Sequence, residues 1–114
     1  MTEKYALKIV RDNYNLTNDS FLFYLHERDL FRADRFNTLC TAVETLAGSR
    51  CEMLTEKITH CYQNILKEFI YHFNPNDSSQ IKDFPKKYTH YLEKFDCALA
   101  RYYTCGKKHN EKER

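Results

Sequence analysis

Four residues constrain this chain more than any others: Gly48, Gly106, Pro75 and Pro85 are its only glycines and prolines. These two residue types are the strongest punctuators of regular structure, so a 114-residue chain with two of each has few tight turns. A hairpin-rich sheet fold would need many more. Long helices with few connections follow.

The apolar pattern agrees. Leu39, Val43, Leu46, Met53, Leu54, Ile58, Cys61, Tyr62, Ile65, Leu66, Phe69 and Phe73 recur at three- and four-residue steps, the period of one helix face. One long amphipathic helix is the economical reading, kinked or restarted at Gly48-Ser49, where Ser49 and Glu52 have the spacing of a capping box. Asn74-Pro75-Asn76-Asp77 ends it, because proline disfavours helical geometry in the residue before it and Asn and Asp favour turns.

Ahead of this segment, residues 3–11 predict a short helix and 13–20 a polar connection, with Asp19 or Ser20 capping a further helix over 20–34 that the charged run His26 to Asp29 interrupts. Behind it, Phe84, Tyr88, Tyr91, Phe95, Ala98, Tyr102 and Cys105 alternate three and four apart, a coiled-coil-like seam able to pack along a partner helix. Proline is tolerated only in a first turn, so the well-formed helix starts near Phe84 or follows a kink at Pro85, and Gly106 is the expected stop. The expected fold is all-α: a small bundle of three to five helices, one or two of them long, in a single domain over 1–114, with 107–114 a charged, loose tail. A composition of 42% apolar and 30% charged residues suits a globular chain of one domain's length.

The net charge of +2 hides an asymmetry. Residues 1–81 carry nine Lys or Arg against eleven Asp or Glu, whereas 82–114 carry nine against five. The basic segment is interrupted by Glu93 and Asp96, which argues against nucleic acid, where a denser cationic face is needed. No run approaches the roughly 20 apolar residues of a membrane span, and the N-terminal apolar run is short and contains Lys8, unlike a secretory signal. A cytoplasmic protein is expected. Its five cysteines, an odd number, stay thiols in a reducing compartment.

Catalytic and metal chemistry find little footing. A metal cluster could be drawn only from Cys51, His60, Cys61, Cys97, Cys105 and His109, without a Cys-x-x-Cys pair, so no metal site and no cofactor are expected. There is no glycine-rich phosphate loop, no Gly-x-Ser-x-Gly elbow and no His-Glu-x-x-His pair. The chain reads as a non-enzymatic helical binding protein. It would recognise a protein partner by a complementary face, as an immunity protein or antitoxin neutralises a toxin. Against a basic toxin the natural residues are the acidic set Glu27, Asp29, Asp34, Glu44, Glu52 and Glu56.

A second reading comes from a family. Lys86-Lys87-Tyr88, Phe95 seven residues on, Leu99, Arg101, the Lys107-Lys108 pair and the upstream Leu66-x-x-Phe69 resemble BAR domains of the kind attached to small-GTPase-activating proteins, over residues 38–112. The resemblance implies a homodimer of long curved helices lying on an anionic membrane surface. Lys86, Lys87, Arg101, Lys107 and Lys108 would then contact lipid headgroups, each worth on the order of 1 kcal/mol.

Overall fold

Among the described residues the chain forms five α-helices and one 3₁₀ turn, and the architecture is an all-α bundle with two long members. The computed structural model describes residues 1–76 and 80–112, with side chains as far as Thr104. In chain order the helices are α1 (Glu3–Asn15), α2 (Phe21–Glu27), α3 (Ala33–Thr45), α4 (Glu52–Phe73) and α5 (Tyr88–Lys112). The body measures 53 × 26 × 22 Å. Among the described residues no helix is long and apolar enough to cross a membrane.

Helix α1 runs one turn beyond the expected 3–11, because the residues read as a polar connection are partly interior. Asp12 and Asn13 are 4% and 2% exposed. The Asn13 amide donates to the Ile9 carbonyl at 2.9 Å, and its Oδ1 accepts the Leu22 N–H at 2.9 Å. Asp12 is held by Lys8 at 2.7 Å and by the Asn18 amide at 3.0 Å. Leu16 then stops the helix in the left-handed region, φ 57°, which costs a leucine about 1 kcal/mol. Ser20 is the cap of α2, its Oγ accepting the Phe23 N–H at 3.2 Å.

The helix expected over 20–34 is two helices. The chain leaves α2 at Arg28, turns through Asp29 at φ 50° and restarts at Ala33. Two backbone bonds to the distant 80s explain the break. Phe31 N–H donates to the Lys82 carbonyl at 3.0 Å, and Lys82 N–H to the Asp29 carbonyl at 2.6 Å, around a parallel Leu30–Lys82 bridge. Leaving the helix also turns Phe31 inward, where its ring meets those of Phe21, Phe36, Phe69, Phe84 and Tyr91.

The long helix through residue 46 is likewise divided. After α3 the chain makes a 3₁₀ turn, Leu46–Ser49, which buries Leu46 and Ala47 against α5, and α4 begins at Glu52. Cys51, extended and without a side-chain cap bond, stands at its start, so the Ser49–Glu52 capping box does not form. Helix α4 ends at Phe73, before Asn74 and Pro75, as its sequence indicates.

Helix α5 starts at Tyr88, with Pro85 in the approach, and its backbone passes through Gly106 to Lys112. Its aromatic seam is filled by the chain itself. Phe95, Ala98 and Tyr102 are fully buried, Phe95 stacks on Tyr62 at 4.9 Å, and the Tyr102 hydroxyl meets Thr55 Oγ1 at 2.8 Å. Cys105 and the 107–114 tail lie outside the described side chains. The core joins these residues to Val10, Leu25, Leu39, Val43, Ile58 and Ile65, each buried side chain stabilising by about 1.5–3 kcal/mol.

Candidate functional site

Aromatic side chains gather at one end of the bundle, where α4 finishes and the chain enters α5. Phe31, Phe36, Phe69, Tyr91 and Phe95 form the floor, with Phe31 stacked on Phe36 and the others in edge and tilted contacts. Phe84 lies over Phe69 at 5.0 Å and carries the His72 ring stacked at 4.0 Å. His72 Nδ1 accepts the Ile81 N–H at 3.0 Å, so that nitrogen carries no proton and the imidazole proton sits on Nε2. Through this bond and the Leu30–Lys82 bridge, the segment after α4 is tied to both α4 and the α2–α3 corner.

Beside that floor, at the end of α4, the fold leaves two large apolar side chains in solvent. Ile70 is 65% and Phe73 53% exposed, the latter resting on Phe84 at 5.3 Å and Tyr88 at 4.9 Å. A single exposed apolar residue is ordinary. Two of them one helical turn apart, one resting on the aromatic floor, make a platform with the apolar and aromatic composition that anchors protein interfaces.

The acidic residues expected to meet a partner fall into two groups. Glu27, Asp29 and Asp34 lie at the aromatic end, on the α2–α3 corner beside Lys82. Asp34 is engaged there: Arg32 donates to it at 3.1 and 3.2 Å and Arg35 stands 3.8 Å away, and the Arg32 hydrogen bond lowers its pKa. Glu44, Glu52 and Glu56 lie at the opposite end, at the close of α3 and the start of α4. Glu44 is paired with Arg101 at 2.8 Å. Among the basic residues, Lys86 and Lys87 are exposed just before α5, about 20 Å along the helix from Arg101. Lys107 and Lys108 lie outside the described side chains.

A second exposed apolar surface was not foreseen as such. It lies where α1 crosses the start of α4, around a hollow of about 290 Å³ lined by Leu7, Arg11, Cys51, Met53 and Lys57. Met53 is 69%, Leu7 41% and Tyr14 38% exposed. Tyr14 meets the His60 ring edge-on at 5.1 Å and carries the Lys57 ammonium at 5.7 Å. Lys4 and Arg11 border this seam on α1, Glu52 and Glu56 on α4, all exposed and none ion-paired among the described residues.

The cysteines differ in reach. Cys40 and Cys61 are buried, and burial pushes both thiols up to about 12, so neither presents a thiolate at neutral pH. Cys51 and Cys97 are exposed and unbridged. Among the described residues no three His, Cys, Asp or Glu side chains converge as metal ligands would. No protein-family model, curated protein or solved structure matches the chain.

Proposed function

We propose that this chain is a helical binding protein of the cytoplasm that recognises a protein partner through its aromatic end, acting by surface complementarity and not by catalysis. The mode is that of immunity proteins and antitoxins, which neutralise a toxin by covering it. The observation that carries the reading is the pair Ile70 and Phe73, more than half exposed one helical turn apart at the end of α4, with Phe73 edge-on to Phe84 and tilted against Tyr88. A rigid aromatic floor lets a partner bury these side chains with little ordering cost.

Charge flanks the platform asymmetrically. Glu27 and Asp29 stand on the α2 side, and Lys82, Lys86 and Lys87 on the α5 side. A partner offering an apolar plug with basic groups toward α2 and acidic groups toward α5 would match both. The free thiols among the described cysteines suit a reducing compartment.

The test is affinity capture with immobilised wild-type protein and Ile70→Glu. Ile70 is exposed enough for glutamate to leave the fold intact, which circular dichroism checks. A protein retained by the wild type and lost by Ile70→Glu supports the reading. Equal retention by both, or none by either, refutes it.

A further inference from the structure

The α1–α4 seam carries opposite charges on its two borders, with apolar side chains between them. On the α1 side stand Lys4 and Arg11, on the α4 side Glu52 and Glu56, and Leu7, Tyr14 and Met53 lie in the middle. Other charges nearby are already committed. Lys8 is held by Asp12 at 2.7 Å and Lys57 sits over its own Tyr14 ring, while Glu3 on α1 and Glu52 on α4 each stand in the first turn of their helix.

Symmetry gives this pattern a consequence. In a two-fold dimer the same patch serves on both subunits, so it must be complementary to its own rotated image. A two-fold axis lying along the seam exchanges left and right while keeping height along the helices. It sets the α1 border of each copy against the α4 border of the other. Leu7 then meets Met53 of a second copy, and Lys4 and Arg11 meet its Glu52 and Glu56, twice over. An axis across the helices would set like charges together, so the borders also select the orientation. The seam and the aromatic platform lie at opposite ends of α4, which leaves the platform free in such a dimer.

We infer that the α1–α4 seam is a self-association surface whose occupant is a second copy of this chain, related by a two-fold axis along the seam. This goes beyond the partner reading above and does not depend on it. The exposure of Met53, at 69%, reflects a side chain placed to enter the hollow of the other copy.

The experiment is sedimentation velocity at about 100 μM, a concentration that populates even a weak specific dimer, on five samples: the wild type, Lys4→Glu/Arg11→Glu, Glu52→Lys/Glu56→Lys, an equimolar mixture of these two variants, and Met53→Lys. The wild type is expected at twice 13.8 kDa, and each charge-reversed variant and Met53→Lys at 13.8 kDa. The mixture is expected to return to the dimer mass, because each border of one variant is now opposite in sign to the facing border of the other. All substituted residues are exposed, and circular dichroism verifies the helical fold. A monomeric wild type overturns the inference. So does a dimer that survives both reversals, or a mixture that stays monomeric while both variants are folded.

Discussion

Replacing Asn13 by alanine should cost about 2 kcal/mol, although the residue sits in a stretch whose composition reads as loop. Its Oδ1 is the acceptor for Leu22 N–H, a first-turn donor of α2 that has no carbonyl within its own helix to bond. Leu22 is fully buried, so water cannot replace the lost acceptor. An orphaned buried donor costs about 1–3 kcal/mol. The Ile9 carbonyl, deprived of the Asn13 amide, keeps its place in the α1 ladder and adds little. The expected loss is about thirtyfold in the folding equilibrium, read as a lower urea midpoint at unchanged slope. Asn15→Ala, an exposed neighbour on the same helix, is the control and should shift stability by no more than about 0.5 kcal/mol. An Asn13→Ala protein within that margin of the wild type would refute the claim that α2 is capped from α1.

The remaining predictions concern titration and thiol access. His26 Nδ1 lies 2.8 Å from Glu68, and this hydrogen bond raises its pKa above the ordinary value. A raised folded pKa stabilises below the unfolded value of about 6.5, and the contribution disappears as pH rises through the folded pKa. The wild type should therefore exceed His26→Gln in urea stability at pH 6 by well under 1 kcal/mol, the imidazole being solvent-exposed, and the difference should vanish by about pH 8; a gap that widens with pH would contradict the assignment. In native protein, iodoacetamide at about pH 8 should label Cys97 within minutes and leave Cys40 and Cys61 untouched until urea unfolds the chain. Peptide mass spectrometry distinguishes the sites, and early labelling of Cys61 would show that the core around it opens.

How much of this was legible in the residues depends on how local its cause is. The end of α4 is local, since Pro75 constrains its own neighbour, and the α5 seam is a period that any reader of the pattern recovers. The break between α2 and α3 shows locally only as the charged run His26 to Asp29, which does not by itself end a helix. Neither glycine nor proline lies between Glu27 and Ala33, and the chain leaves the helix because Lys82, more than fifty residues away, supplies the backbone partners for Asp29 and Phe31. Ser49 and Glu52 have capping-box spacing, yet Ser49 falls in the 3₁₀ turn that buries Leu46 and Ala47 under α5, and the cap position moves to Cys51, with Glu52 the first residue of α4. Tertiary contacts decided both points against the local pattern.

The interaction surfaces follow the same logic, and here the sequence held a signal that periodicity alone discards. Met53 and Leu54 are neighbours, as are Phe69 and Ile70, and successive residues of a helix point about 100° apart. Both members of such a pair cannot face one core. The structure buries Leu54 and Phe69 and leaves Met53 and Ile70 outside, one at each end of α4. An apolar stripe wider than its covering helices thus leaves an apolar side chain in solvent at each end of α4. Which residue of each pair stays out depends on where α1, α2 and α5 lie. That placement belongs to the long-range bonds of Asn13, Phe31 and Tyr102, so the existence of the two surfaces could be read from adjacency while their position could not.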